Sequence, residues 1–250
     1  MANGPEGDLS IREPPKVLVP VRVLEGQTLP ASLVEFLAPA DVVVLGYHVL
    51  PEQTPTEQAS MQYEERAQSA VEDIVTEFRE AGREPETRVV FTHDRDQTVD
   101  RVAAEVDATA VLLPNPTGEI TDVLVALRGV VDTGRLADLV ATLLHGGEGR
   151  VTLWGLDTGG SFEADAAVEH ARDTLERRGL GADRITGETT QTEQPVVDIV
   201  GRSAAFDVVV MGEGGEGLLS VLLGEDAERV AEGAVAPVLV VRPRPDPTAE

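Results

Sequence analysis

The residues best suited to chemistry lie between Asp207 and Arg242. An apolar run, Val208 to Met211, gives way to a glycine-dense turn with Gly212, Gly214, Gly215 and Gly217. After a short apolar stretch come Gly224, then Glu225 and Asp226 at the start of a helical segment, then a second β-branched run from Val238 to Val241. Glycines admit positive φ and let backbone approach a ligand closely. Strand, glycine loop and helix in succession aim backbone N–H groups at an anion, a phosphate above all. The same segment carries groups that oppose this use. Glu225 and Asp226 stand where a carboxylate caps free N–H groups and meets the positive end of the helix dipole, worth about 0.3–1 kcal/mol. Glu213 and Glu216 add like charge to the turn. Salt screens distant repulsion, but not a carboxylate against a phosphate at about 4 Å.

These residues resemble the C-terminal part of a universal stress protein (UspA-type) domain. There, a strand ending in Met-Gly leads into a G-x2-G-x9-G-[ST] loop, a helix reading much like A-E-R-V, and P-V-L-V-V. Met211-Gly212, Gly215, Gly224, Ala227 to Val230 and Pro237 to Val241 match it position by position. The spacer between Gly215 and Gly224 is one residue shorter, and the final Ser/Thr is Glu225. The resemblance implies that the hydroxyl lost there is one that helps hold phosphates in ATP-binding members. It also implies an acidic nucleotide contact at the end of the first strand, where this chain has Arg22 after Val19-Pro20-Val21 and Arg128 after Val125-Ala126-Leu127. A degenerate nucleotide or anion site follows, made of Gly212, Gly215, Gly224, Glu225 and Arg128, with ATP or AMP as the candidate ligand. Arg128 is read either as facing the glycine loop or as a solvated strand end.

Acidic residues number 45 against 20 basic, a net charge of −25, and Lys16 is the single lysine. The acids are spread through every segment, the pattern of a protein kept soluble in molar salt and of a halophilic archaeal source. A partner-binding acidic surface is the competing account. Nucleic acid is excluded, because phosphates require clustered Lys and Arg. No signal peptide and no spanning segment are visible, and there is no cysteine, so a cytoplasmic protein without disulfides is expected.

Along the chain, β-rich runs alternate with amphipathic stretches, the pattern of parallel α/β proteins. Strands are expected over 16–23, 41–49, 87–91 and 109–113, with helices over 29–37, 57–81 and 99–106 between them. The pattern restarts with strands over 122–127, 151–156, 184–187 and 207–210 and helices over 135–144, 164–178 and 196–205. A last helix and the strand 238–241 complete it. The fold expected is α/β, with two tandem open, mainly parallel sheets of the UspA-like, adenine-nucleotide alpha-hydrolase-like kind. One unit spans 1–118 and lacks the glycine loop, last helix and fifth strand. The other, 119–250, is complete, and the two pack as an intrachain pseudo-dimer.

His48, His93, His145 and His170 fall in no metal-ligand spacing. No nucleophile stands with a base, so no enzyme is expected. The leading reading is a non-catalytic stress-response or regulatory module acting through protein contacts, with weak or no ATP binding. An ATP/AMP sensor using the second unit's loop is the alternative, and a nucleotide hydrolase the third. The partner is an unidentified protein, by analogy a membrane transporter, or a second copy of the chain.

Overall fold

The computed structural model describes residues 9–129, 131–212 and 236–244. Its elements are β1 (Lys16–Arg22), α1 (Ala31–Leu37), β2 (Asp41–Val49), α2 (Thr56–Glu80), β3 (Glu86–Thr92), α3 (Arg95–Glu105) and β4 (Ala110–Leu113). They continue with β5 (Asp122–Leu127), α4 (Thr133–Leu143), β6 (Arg150–Asp157), α5 (Ala164–Arg178), β7 (Ile185–Gln191), α6 (Pro195–Ser203), β8 (Val208–Gly212) and β9 (Val238–Val241). Valine-rich runs become strands because β-branched side chains fill a pleated, buried surface. Local signals set helix ends: the Asp94 carboxylate accepts from Gln97 N at 2.9 Å and starts α3, and Gly179, at φ +105°, closes α5.

All described strands join one sheet, in the order β3-β2-β1-β4-β9-β8-β5-β6-β7. Each neighbouring pair is parallel except β4 and β9, which run antiparallel with Ala110 opposite Val241 and Leu113 opposite Val238. The two expected sheets therefore meet edge to edge as a single sheet. β9 is the shared element, parallel to β8 on one side and antiparallel to β4 on the other. Because that one pairing reverses direction, the strands of the two halves point opposite ways, and their carboxyl ends open on opposite edges.

One continuous apolar cluster takes residues from α1, α2, α4 and α5 on one face of the sheet. The other face carries two separate clusters, one with α3 under the first half and one with α6 under the second. A matching glycine sits in each half where a long helix crosses the second strand. A Cβ on Gly46 would lie 2.5 Å from a Val71 methyl of α2, and one on Gly155 would lie 2.9 Å from the Ala164 carbonyl of α5. Both positions demand the smallest residue, and both set how closely a helix covers its half. Among the described residues no helix is long and apolar enough to cross a membrane.

Between β4 and β5 the chain has no helix. Residues 114–121 instead cross the seam, held by Thr117 Oγ1 donating to Asp207 O at 3.1 Å. The Asp207 carboxylate accepts from the N–H groups of Thr121 and Asp122, both at 2.9 Å.

Candidate functional site

In open α/β sheets, ligands enter where strand order reverses, at the carboxyl ends of the two strands flanking the reversal. In the second half that place lies between β5 and β8. Ala126 is in register with Met211, so Leu127 ends beside Gly212 and Arg128 emerges at the crevice. The structure thus brings Arg128 and Gly212 to the ends of neighbouring strands. Gly215, Gly224 and Glu225 lie outside the described residues.

Arg128 is half-buried and, among the described residues, makes no hydrogen bond or ion pair. Beyond it the backbone turns at Gly129, φ +70°, toward α4. Val131 then fills the space beside Gly212: a Cβ there would lie 2.6 and 2.9 Å from its two methyl groups. The absent side chain of Gly212 therefore makes room for a neighbouring valine of the same chain. The next residue, Asp132, caps α4, its Oδ1 accepting from Arg135 N at 3.0 Å. An N-terminal turn that could receive an anion is thus supplied with the chain's own carboxylate.

Arg135 ties this turn to the first half. Its side chain is almost wholly buried; Nη1 donates to Pro243 O at 3.1 Å and Nη2 to Asp107 Oδ1 at 3.0 Å. Arg244 approaches Asp132 Oδ2 at 3.9 Å and Glu13 at 3.5 Å. The sequence pattern starts this helix at residue 135, so it passes over Val131 and Asp132, and nothing in it marks Arg135 as a link to the first half. The aspartate just before Thr133-Gly134 was the signal that could have placed the start correctly.

Further along the same edge, at the carboxyl ends of β6 and β7, lies a cleft of about 390 Å³ lined by Asp157, Glu163, Asp165, Thr189, Thr190 and Gln191 among others. Among the described residues none that lines it is basic, and three are acidic. Asp157 Oδ1 is committed to Gly159 N at 2.8 Å.

The first half's equivalent crevice, between β1 and β4, is built differently. Arg22 Nε donates to the Tyr47 hydroxyl at 3.1 Å, and Nη1 approaches Glu25 at 3.4 Å. The Tyr47 oxygen, accepting from Nε, holds Arg22 above its ordinary pKa. Arg95, the first residue of α3, lies 5.9 Å from the centre of the Tyr47 ring. The β4 side offers Pro114-Asn115-Pro116, with Asn115 Nδ2 donating to Ala236 O at 3.5 Å. Among the described residues no cluster of His, Asp or Glu could hold a metal ion.

No protein-family model and no curated sequence matches the chain. Among solved structures, a universal stress protein from Archaeoglobus fulgidus DSM 4304 superimposes with a TM-score of 0.57 at 13% identity, over 91% of this chain and 98% of that one. The cytoplasmic domain of a prokaryotic cation chloride cotransporter gives 0.49 at 13% identity, over 90% and 94%. A universal stress protein in complex with cAMP gives 0.39 at 21% identity, over 49% and 97%. The likeness to the archaeal protein is one of fold, the mostly parallel α/β fold of universal stress proteins.

Proposed function

We propose that the chain is a non-catalytic protein of the universal stress type, built as two tandem units, 1–118 and 119–250, and working in the cytoplasm of a halophile. It acts through protein contacts, with weak ATP binding or none. The observation that carries this reading is the closed first turn of α4. At the crevice where the fold would receive a ligand, Val131 fills the space beside Gly212 and Asp132 supplies the helix with its own anion. An incoming phosphate has to displace that carboxylate or sit beside it. The acid-lined cleft on the same edge argues the same way.

A second reading, an ATP or AMP sensor, draws support from Arg128, a half-buried cation at the crevice with no partner among the described residues. The two readings separate on one preparation. Protein purified in high salt and then denatured should release no stoichiometric adenine nucleotide. Release of one nucleotide per chain puts the sensor first, and steady phosphate production from ATP puts a hydrolase in its place.

A further inference from the structure

The segment leading into β1 crosses the second half before it reaches the first. Leu9 packs against the large apolar cluster, Ser10 N donates to Arg178 O at 3.1 Å, and Arg12 N donates to Asp138 Oδ1 at 3.2 Å. Glu13 then approaches Arg244 at 3.5 Å, and Pro15 O accepts from Asp41 N at 3.0 Å. Two N–H groups at alternate positions, those of Ser10 and Arg12, thus donate to the same surface before the chain bends at Arg12 and Glu13, the way a bound peptide uses its main chain on a receptor. Their acceptors suit that role. Arg178 O is a carbonyl at the C-terminal end of α5, without a helical partner by construction. Asp138 is 2% exposed and sits in α4, where it also accepts from Arg178 Nε. Its second oxygen, Oδ2, is buried and accepts from nothing among the described residues. The floor under this segment thus retains capacity for one more donor, and a buried carboxylate oxygen without a donor is costly to keep.

The strap itself is lightly held. Ser10, Arg12, Glu13 and Pro14 are exposed, and the Glu13–Arg244 pair is open to solvent. Such pairs contribute little, and segments with few buried contacts open well below the global unfolding free energy.

We propose that the surface formed by α4 and the C-terminal end of α5 is a peptide-docking site, occupied at rest by the chain's own residues 9–13. On exchange it receives an extended, basic segment of a partner protein. The partner presents an apolar side chain followed by N–H groups at alternate residues, one for Arg178 O and one for Asp138. Basic character follows from the net charge of −25, which attracts a cationic segment before contact. This site rests on the reading that the chain works through protein contacts, but it fails separately. A nucleotide-binding result would overturn that reading and leave the peptide result standing.

The test uses full-length protein and a fluorescent peptide of the chain's own sequence from Leu9 to Pro15 carrying Glu13→Lys, which makes it basic, followed by anisotropy, with a scrambled peptide as control. Arg12→Pro removes the N–H that Asp138 accepts, and Leu9→Ser removes the apolar anchor. Hydrogen exchange at Ser10 reports release of the strap in each. Both variants should expose Ser10 and bind the peptide about tenfold or more tightly than wild type, a difference in affinity measurable directly. Leu9→Ser carries the test if Arg12→Pro does not fold. Equal binding by wild type and variants overturns the proposal, as does a released strap with no peptide binding, or a strap still protected in both variants.

Discussion

The two halves share a strand order and a glycine under each long helix, yet their first helices behave differently. α1 buries Leu33, Val34 and Leu37 and leaves Glu35 in solvent. α4 is buried at every position from Arg135 to Leu143, and two of those residues are charged. The difference shows how two halves with one strand order are given different tasks. Helix α1 only covers its half. Helix α4 caps itself with Asp132, reaches the first half through Arg135, and holds the N-terminal strap through Asp138. The crevices differ accordingly: around Arg22 lie Tyr47, Glu25 and Arg95, while past the end of β5 Val131 packs beside Gly212 and Asp132 caps α4.

The largest expected effect removes the difference by melting both halves together. With 25 excess negative charges, transfer from about 3 M to about 0.1 M KCl lengthens the screening distance and strengthens self-repulsion. Because β9 serves both halves, circular dichroism should show one cooperative transition whose midpoint falls on dilution. Two separate transitions would break the shared-strand account, and equal stability in both salts would revive the partner-surface account of the acids.

Next comes the contrast between α4 and α1. Asp138→Ala leaves Arg178 buried without its counter-ion and should cost about 3–5 kcal/mol. Glu35→Ala, on the exposed face of α1, should stay within about 0.5 kcal/mol. Chemical denaturation in high salt compares them, and similar costs would erase the proposed asymmetry.

A smaller effect is expected at the β5–β8 crevice. Gly212→Val drives new methyl groups into Val131 and should cost about 1–3 kcal/mol through overpacking. Adding Val131→Ala should recover part of that. If Gly212→Val is neutral, Val131 does not fill the crevice.

The smallest effect lies in α2 of the first half. Burial, followed by the neighbouring charges of Glu80 and Asp73, raises the Glu77 pKa above its ordinary value. A carboxyl raised on folding binds more protons in the native state, so its contribution is fully present below the unfolded pKa and is lost as pH rises through the folded one. Glu77→Gln should therefore raise the melting temperature slightly at neutral pH, and the gain should vanish in acid. A gain that persists unchanged at low pH would remove titration as its cause.

Much of the fold was legible because parallel strands buried on both faces read as runs such as DVVVLG and DVLVAL. β7 read too short, since ITGETTQ lies at a sheet edge and has almost no apolar signal. α3 begins at Arg95 rather than at Val99, because the Asp94 cap starts it before its first valine. The joining of two sheets into one could not be read locally. It depends on β4 and β9 pairing across more than half the chain, and nothing in AVLL or VLVV names its partner. At the crevice, Arg128 and Gly212 were legible as strand ends, but the closing residues Val131 and Asp132 belong to a turn whose role appears only when β8 lies beside it.

Calorimetric titration with ATP, and separately with AMP, in about 3 M KCl bears most directly on the central claim, because it keeps the fold while opposing only the weaker, screened part of any phosphate interaction. A closed crevice predicts no saturable heat below about millimolar nucleotide, equivalent to less than about 4 kcal/mol of binding free energy. Saturation with a dissociation constant of about 1 μM and one site per chain would contradict it.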